Sequence, residues 1–306
     1  MTSIAKGKPN LKLAAAAAPA AFRMTRKPHP GTIFRKTVSY IFLAAGAVTM
    51  IGPFMWMLTT SLRHLSEVVS FHKDWWADWI PTSFVWNNYV KAWQVVPFAR
   101  FYLNSIFVTA CVTFGQVATS AMAAYAFARL NFKGRDKMFF AYLATMMVPG
   151  AVTMIPVFIL LRHLGWIDTY KAMILPGIFT AYGTFMLRQF FLTLPKDLED
   201  AAKIDGCSLF GIFWRITLPL SGPALATLTT FTFMGSWMNF MWPLIVINTQ
   251  SKFTLPIGLA YFQSLHGTDW TLLMAASIMV LLPILIVFIF NQRFFVEGIK
   301  LTGIKG

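Results

Sequence analysis

Eleven carboxylates and five histidines are the groups in this 306-residue chain that could move a proton or hold a metal. The acids are Glu67, Asp74, Asp78, Asp136, Asp168, Asp197, Glu199, Asp200, Asp205, Asp269 and Glu297; the histidines are His29, His64, His72, His163 and His266. All fall in tails, loops or helix ends rather than at the centres of the long apolar stretches. A proton-coupled carrier uses a titratable group at membrane depth, because binding and releasing a proton is its coupling step. A membrane hydrolase needs a base beside its nucleophile. The sequence shows neither arrangement, and no segment fits the phosphate-cradling loop G-x-x-x-x-G-K-S/T. Cys111 and Cys207 stand far apart without metal-ligand spacing and are read as packing residues. The chain is therefore expected to be no enzyme, with no cofactor or metal of its own. If it moves a solute, the energy enters from another protein.

The best-defined polar segment runs from Leu194 to Leu220. Its chemistry predicts a helix, a break and a second helix. Pro195 suits a helix start, and Asp197, Glu199 and Asp200 favour the positive N-terminal end. Gly206 is suited to close the first helix because it tolerates a left-handed backbone. Ser208 can open the next turn and Pro219 ends it. Small Ala201 and Ala202 beside the acids make a face that another protein could approach closely. A polar surface loop joining two spans is the competing reading at this level.

The elements around this segment are set by solvent. The composition is 57% hydrophobic and 16% aromatic but only 12% charged, with a mean hydropathy of +0.61. Soluble domains carry about a quarter charged residues, so the bilayer is the natural solvent. The net charge of +15 does not indicate nucleic acid, because the basic residues punctuate apolar runs instead of forming a patch.

Six stretches are long and apolar enough to span: about 38–61, 103–128, 138–161, 170–191, 223–247 and 270–292. With the N-terminus inside, the inner segments 1–37, 129–137, 188–222 and 293–306 hold 19 Lys and Arg, against seven outside. That asymmetry predicts six transmembrane helices with both termini cytoplasmic. Residues 1–37 carry eight basic residues and no acid, which predicts a solvated tail near anionic lipid rather than a signal peptide.

Polar groups for a pathway are fewer. Span two carries Thr109, Thr113, Gln116, Thr119 and Ser120, which could face a pathway or bond to neighbouring helices. In span five, Ser236, Trp237 and Asn239 combine hydroxyl, stacking ring and amide, and with Gln116 they are the candidates for solute contact. Pro149, Gly150, Pro156, Pro176, Gly177, Gly235 and Pro243 would kink spans or permit close packing, and packing is the simpler account of each. The outer segment 62–100 carries Trp75, Trp76, Trp79, Trp86 and Trp93, read as anchors at the lipid headgroups.

The loop resembles the EAA loop of ATP-binding-cassette importer permeases: E-A-A, three residues, G, nine residues, then I-x-L-P. Asp200-Ala201-Ala202, Gly206, Ile216, Leu218 and Pro219 occupy those positions in register, with Asp in place of the first Glu. Asn104-Ser105, Ala124-Tyr125-Ala126-Phe127-Ala128-Arg129, Met147-Val148-Pro149-Gly150 and Leu187-Arg188-Gln189-Phe190-Phe191 are similar to the carbohydrate-importer branch. So are Gly235-Ser236-Trp237, Trp242-Pro243-Leu244 and the run from Gln292 to Gly298. The likeness covers roughly residues 38–306 and is to the second permease of sugar importers.

This resemblance implies an all-α permease fold of residues 38–306 with a coupling loop at about 193–222. It implies a second homologous permease, two copies of an ATPase that binds ATP and Mg, an extracytoplasmic solute-binding protein and a sugar-like substrate. It implies a bacterial or archaeal cytoplasmic (inner) membrane. The loop helix would be a coupling helix seated in the ATPase. Glu199, Asp200, Lys203 and Asp205 would make polar contacts, Ala201 and Ala202 would permit close approach, and Gly206 would set the bend. ATPase closure would move spans four and five. The rival reading is a secondary carrier driven by an ion gradient, which lacks the membrane-embedded acid or histidine it would need.

Overall fold

The computed structural model describes residues 30–70, 79–264 and 267–303. Residues to 29, with most of the basic tail, and Trp75 and Trp76 lie outside them. The chain separates into two units, one ending at Pro53 and one beginning at Phe54. The first helix, α1 (Pro30–Ser61), starts eight residues before the expected span and crosses that division.

From Phe54 onward the described structure is helical apart from one antiparallel pairing of Gln263–Ser264 with Gly267–Thr268. After α1 come α2 (Leu65–Val69), α3 (Asn87–Val95) and the long α4 (Phe98–Arg129). Then follow α5 (Arg135–Ala144), α6 (Gly150–His163), α7 (Tyr170–Ile174), α8 (Ala181–Thr193) and α9 (Lys196–Ile204). The remaining helices are α10 (Leu209–Ile212), α11 (Leu218–Leu220), α12 (Gly222–Trp237), α13 (Met241–Val246), α14 (Leu255–Ala260) and α15 (Trp270–Gly303).

Helix α4 is central. Phe101, Asn104, Ser105, Val108 and Val112 recur at helical spacing on its buried face, and Ala121, Ala124, Tyr125 and Ala128 continue it. Small residues let α8 come close. A Cβ on Gly183 would meet Ser120 Oγ at 2.5 Å, and one on Gly115 would meet Ile178 Cγ2 at 2.7 Å.

Among the described residues, three helices are long and apolar enough to cross a membrane: Phe34–Ser61, Phe98–Arg129 and Trp270–Phe294. Two bent pairs, each counted as one span, raise the number to five. The expected third span, 138–161, bends by 98° between Met147 and Gly150. Pro149 causes this by forcing Val148 out of the helical region, to φ −83° and ψ 116°. The expected fourth span, 170–191, is two short helices. A 3₁₀ turn at Leu175–Gly177, carrying Pro176, precedes an extended Thr180, which leaves α8 only 13 residues.

The expected fifth span, 223–247, ends at Trp237, and α13 is a separate six-residue helix. Before it, Phe213–Thr217 is a π turn and the chain bends by 79° into α12. Pro219 lacks the N–H that the Arg215 carbonyl would otherwise receive there.

Candidate functional site

The first half of the 194–220 segment folds as its local chemistry predicts, but Pro219 does not end the second helix, which runs through a π turn to Leu220. Helix α9 starts after Pro195, and its end is turned by Gly206 at φ 80°. The Gly206 N–H donates to Lys203 O at 3.0 Å, and the Cys207 N–H donates to Ala202 O at 2.9 Å. Ser208 then caps the next turn, its hydroxyl accepting from the Gly211 N–H at 3.1 Å.

The acids of α9 divide between two environments. Asp200 is exposed, its carboxylate 2.8 Å from Lys203 Nζ. The hydrogen bond from Lys203 and its charge hold that carboxyl below the usual carboxylate range. Glu199 instead points inward. Its Oε1 lies 3.0 Å from Arg129 Nε, and the two side chains are only 9% and 2% exposed. Arg129 also donates from Nη2 to Leu194 O at 2.7 Å. Tyr125 Oη, one turn earlier on α4, donates to Leu209 O at 3.4 Å. The last turn of α4 therefore holds the loop on both sides of α9.

Of the two alanines, Ala202 is buried and Ala201 is exposed. Leu198, Ala201 and Ile204 recur every three residues on the exposed side, and Ile204 is 87% exposed. Asp205 is exposed beside them. Leu198 and Ile204 have no place in the motif and were missed by the sequence reading. An apolar residue repeated along an acidic helix was the available signal.

A cavity of about 630 Å³ opens between α4, α6, α8, α12 and α13. Gln116, Ser236 and Asn239, candidates for solute contact in the sequence, line it. Trp237 does not. Its ring is 1% exposed, and its indole N–H donates to Val280 O at 2.9 Å, so it is a packing residue between α12 and α15. Gly150, Pro176, Gly177, Gly235 and Pro243, expected as packing positions, all lie on the cavity wall.

Thr153, Tyr182, Thr232 and Thr254 also line the wall and were not anticipated. Thr232 Oγ1 is buried without a hydrogen-bond partner among the described residues. Ser236 Oγ lies 3.4 Å from Thr109 Oγ1, and the Trp242 indole N–H donates to Ala172 O at 2.9 Å.

Asp168 forms a separate polar staple between the loops that follow α6 and α13. Its backbone is left-handed at φ 58°, and its N–H donates to Val246 O at 2.8 Å. Its carboxylate accepts from the Asn248 and Thr249 N–H groups at 3.1 and 3.0 Å, from the Thr249 hydroxyl, and from Lys252 Nζ at 3.0 Å. Desolvation opposes its ionisation, but the donors outweigh it and hold the carboxyl well below the usual range. Among the described residues, no three His, Cys, Asp or Glu side chains gather as a metal site.

Residues 116–299, which hold most of the cavity wall and the whole α9 loop, match the family model described as binding-protein-dependent transport system inner membrane component. The chain belongs to that family. A relative in Halalkalibacterium halodurans, the arabinooligosaccharides transport system permease protein AraQ, is 36% identical, covering 92% of this chain and all of that protein. The sn-glycerol-3-phosphate transport system permease protein UgpE of Yersinia pestis is 35% identical, over 72% of this chain and 81% of that one. The fold matches the crystal structure of a bacterial ABC transporter involved in import of the acidic polysaccharide alginate. The TM-score is 0.78 at 22% identity, covering 89% of this chain and all of that chain.

Helix α4 joins the cavity wall to the surface helix α9. Gln116 faces the cavity and Arg129 holds α9 on the same unbroken helix.

Proposed function

We propose that this chain is the permease subunit of an ATP-driven, binding-protein-dependent importer of a sugar or sugar-like solute. It forms half of the translocation pathway with a second homologous permease. Two copies of an ABC ATPase, binding ATP and Mg, dock on the cytoplasmic side, and an extracytoplasmic binding protein delivers the solute. The chain is multi-pass in a bacterial or archaeal inner membrane, with six spans and cytoplasmic termini. In this arrangement the bent pair from Arg135 to His163 counts as one span, and the two short helices from Tyr170 to Thr193 are taken together as another. Non-helical backbone at membrane depth is tolerated where it lines a cavity, and both breaks adjoin this one.

The observation that carries the reading is the exposed apolar stripe Leu198, Ala201 and Ile204 on a helix locked to α4 by a buried ion pair. Such a stripe fits a partner's groove, with Asp200, Lys203 and Asp205 around it for polar contacts. An ion-gradient carrier has no use for a rigid surface helix of this kind, and among the described residues the cavity wall holds no titratable acid or histidine.

Gly206→Pro tests the reading. Proline lacks the N–H that Gly206 donates to Lys203 O, and its φ near −65° is incompatible with the observed 80°. The variant is expected to insert in the membrane, fail to co-purify with the ATPase and lose transport. Undiminished ATPase association and uptake would remove the coupling assignment.

A further inference from the structure

The cavity wall has a property that bears on the solute. Among the described residues that line it, from Ser105 on α4 to Thr254 before α14, none carries a charge. Its polar side-chain atoms belong to hydroxyls, carboxamides and one indole. The Gln116 and Asn239 amides each present a donor and an acceptor, and the Thr232 hydroxyl is buried with no partner among the described residues. Three rings, Tyr182, Phe231 and Trp242, stand among them.

An anion drawn into a cavity of this depth sheds water that neutral amides replace poorly, and pores for anions and phosphates carry Arg or Lys for that reason. A solute rich in hydroxyls has the opposite requirement. Each hydroxyl both donates and accepts, which matches Gln116, Asn239 and Thr232, and its C–H faces suit the Tyr182 and Trp242 rings. The volume of about 630 Å³ lies within the range of small-molecule sites.

Resting on the permease reading above, we infer that this chain contacts the solute itself, through Gln116, Thr232, Asn239 and Tyr182. The solute is an uncharged saccharide or polyol, not a sugar phosphate or a uronate. This separates the chain from two of its likenesses, whose names concern sn-glycerol-3-phosphate and acidic alginate.

The test uses the complete importer, reconstituted in proteoliposomes with its partner permease, ATPase and binding protein. The probes are a radiolabelled neutral pentose trisaccharide and a uronate trisaccharide. Wild-type chain is compared with Gln116→Lys and Gln116→Glu, which add opposite charges at one point of the wall. ATP-dependent uptake of the neutral probe should exceed that of the uronate by roughly tenfold or more, because the wall offers no cation. The two variants should both lower neutral uptake, to within about threefold of each other, since a neutral solute does not distinguish the sign of the charge.

Uronate uptake equal to the neutral probe overturns the inference, as does a tenfold advantage of Gln116→Lys over Gln116→Glu. Wild-type uptake by both variants would show that the solute does not touch this wall. Uptake of neither probe, with ATP hydrolysis still stimulated by the binding protein, rejects the saccharide class but leaves the permease reading standing. Loss of that stimulation in the wild type would remove the permease reading itself.

Discussion

Arg129, at the last turn of α4, holds Glu199 of the surface helix α9 in a buried ion pair with 3.0 Å between Nε and Oε1. The same guanidinium donates to Leu194 O, so one cation fixes both the entry to α9 and its middle. Resemblance alone assigned motion to spans four and five. In the structure the element that grips α9 is α4.

Breaking this pair is expected to be severe. Arg129→Met or Glu199→Gln leaves one polar partner buried and alone, a destabilisation of about 3–5 kcal/mol for pairs of this kind. Both variants should lower the thermal midpoint of the purified permease complex and reduce ATPase association. The double variant Arg129→Met/Glu199→Met should recover much of the midpoint without recovering coupled transport. Equal midpoints for single and double variants would show that the pair does not anchor α9.

Asp200 should behave differently. Its carboxylate is exposed and pairs with Lys203 on the same helix. Asp200→Asn is therefore expected to leave the thermal midpoint unchanged while lowering binding-protein-stimulated ATP hydrolysis. A loss of stability equal to that of Glu199→Gln would mean the two acids are not divided as described.

Gly206 is held at φ 80°, and a Cβ added there would meet no atom within 4 Å, so backbone conformation rather than space restricts it. Gly206→Ala should cost about 1–2 kcal/mol for the left-handed conformation, and Gly206→Asn should cost less. Ranking ATPase association as Gly, then Asn, then Ala would confirm the turn; equal values would show that its geometry is dispensable.

Asp168 makes a prediction about pH. Its carboxyl is held below the ordinary value in the folded chain, so its contribution is fully present above the unfolded value of 3.8 and fades as pH falls through the lower folded value. Thermal stability lost in Asp168→Asn should therefore be the same at every pH from about 5 to 8, measured against wild type. A difference that shrinks as pH falls from about 8 to about 6 would contradict the staple.

Helix contact between α4 and α8 depends on Gly183, where an added Cβ would meet Ser120 Oγ at 2.5 Å and Thr180 Cγ2 at 2.8 Å. Gly183→Ala should destabilise by about 1–3 kcal/mol through overpacking. Gly235→Ala, which meets no atom within 4 Å, should be stable, and a comparison of the two midpoints checks both.

Composition by itself determined the bilayer as solvent, because an apolar majority with few charges has no other place to be. The sequence also placed the helix, turn and cap of the 194–220 loop. Those features are local: Pro195 starts a helix, Gly206 accepts a left-handed turn and Ser208 caps the next, whatever surrounds them.

Tertiary structure decided which of two neighbours faces inward. Adjacent helical residues point about 100° apart, so Glu199 and Asp200 cannot share a side, nor can Ser236 and Trp237. The choice falls to partners far along the chain: Arg129 draws Glu199 inward, and Val280 O receives the Trp237 indole N–H. Hydropathy also ran unbroken through Val148–Pro149, Leu175–Gly177 and Met238–Phe240, where the backbone breaks. Apolar side chains suit a straight span and a bent one equally, and only the packed helices around the cavity settle which forms.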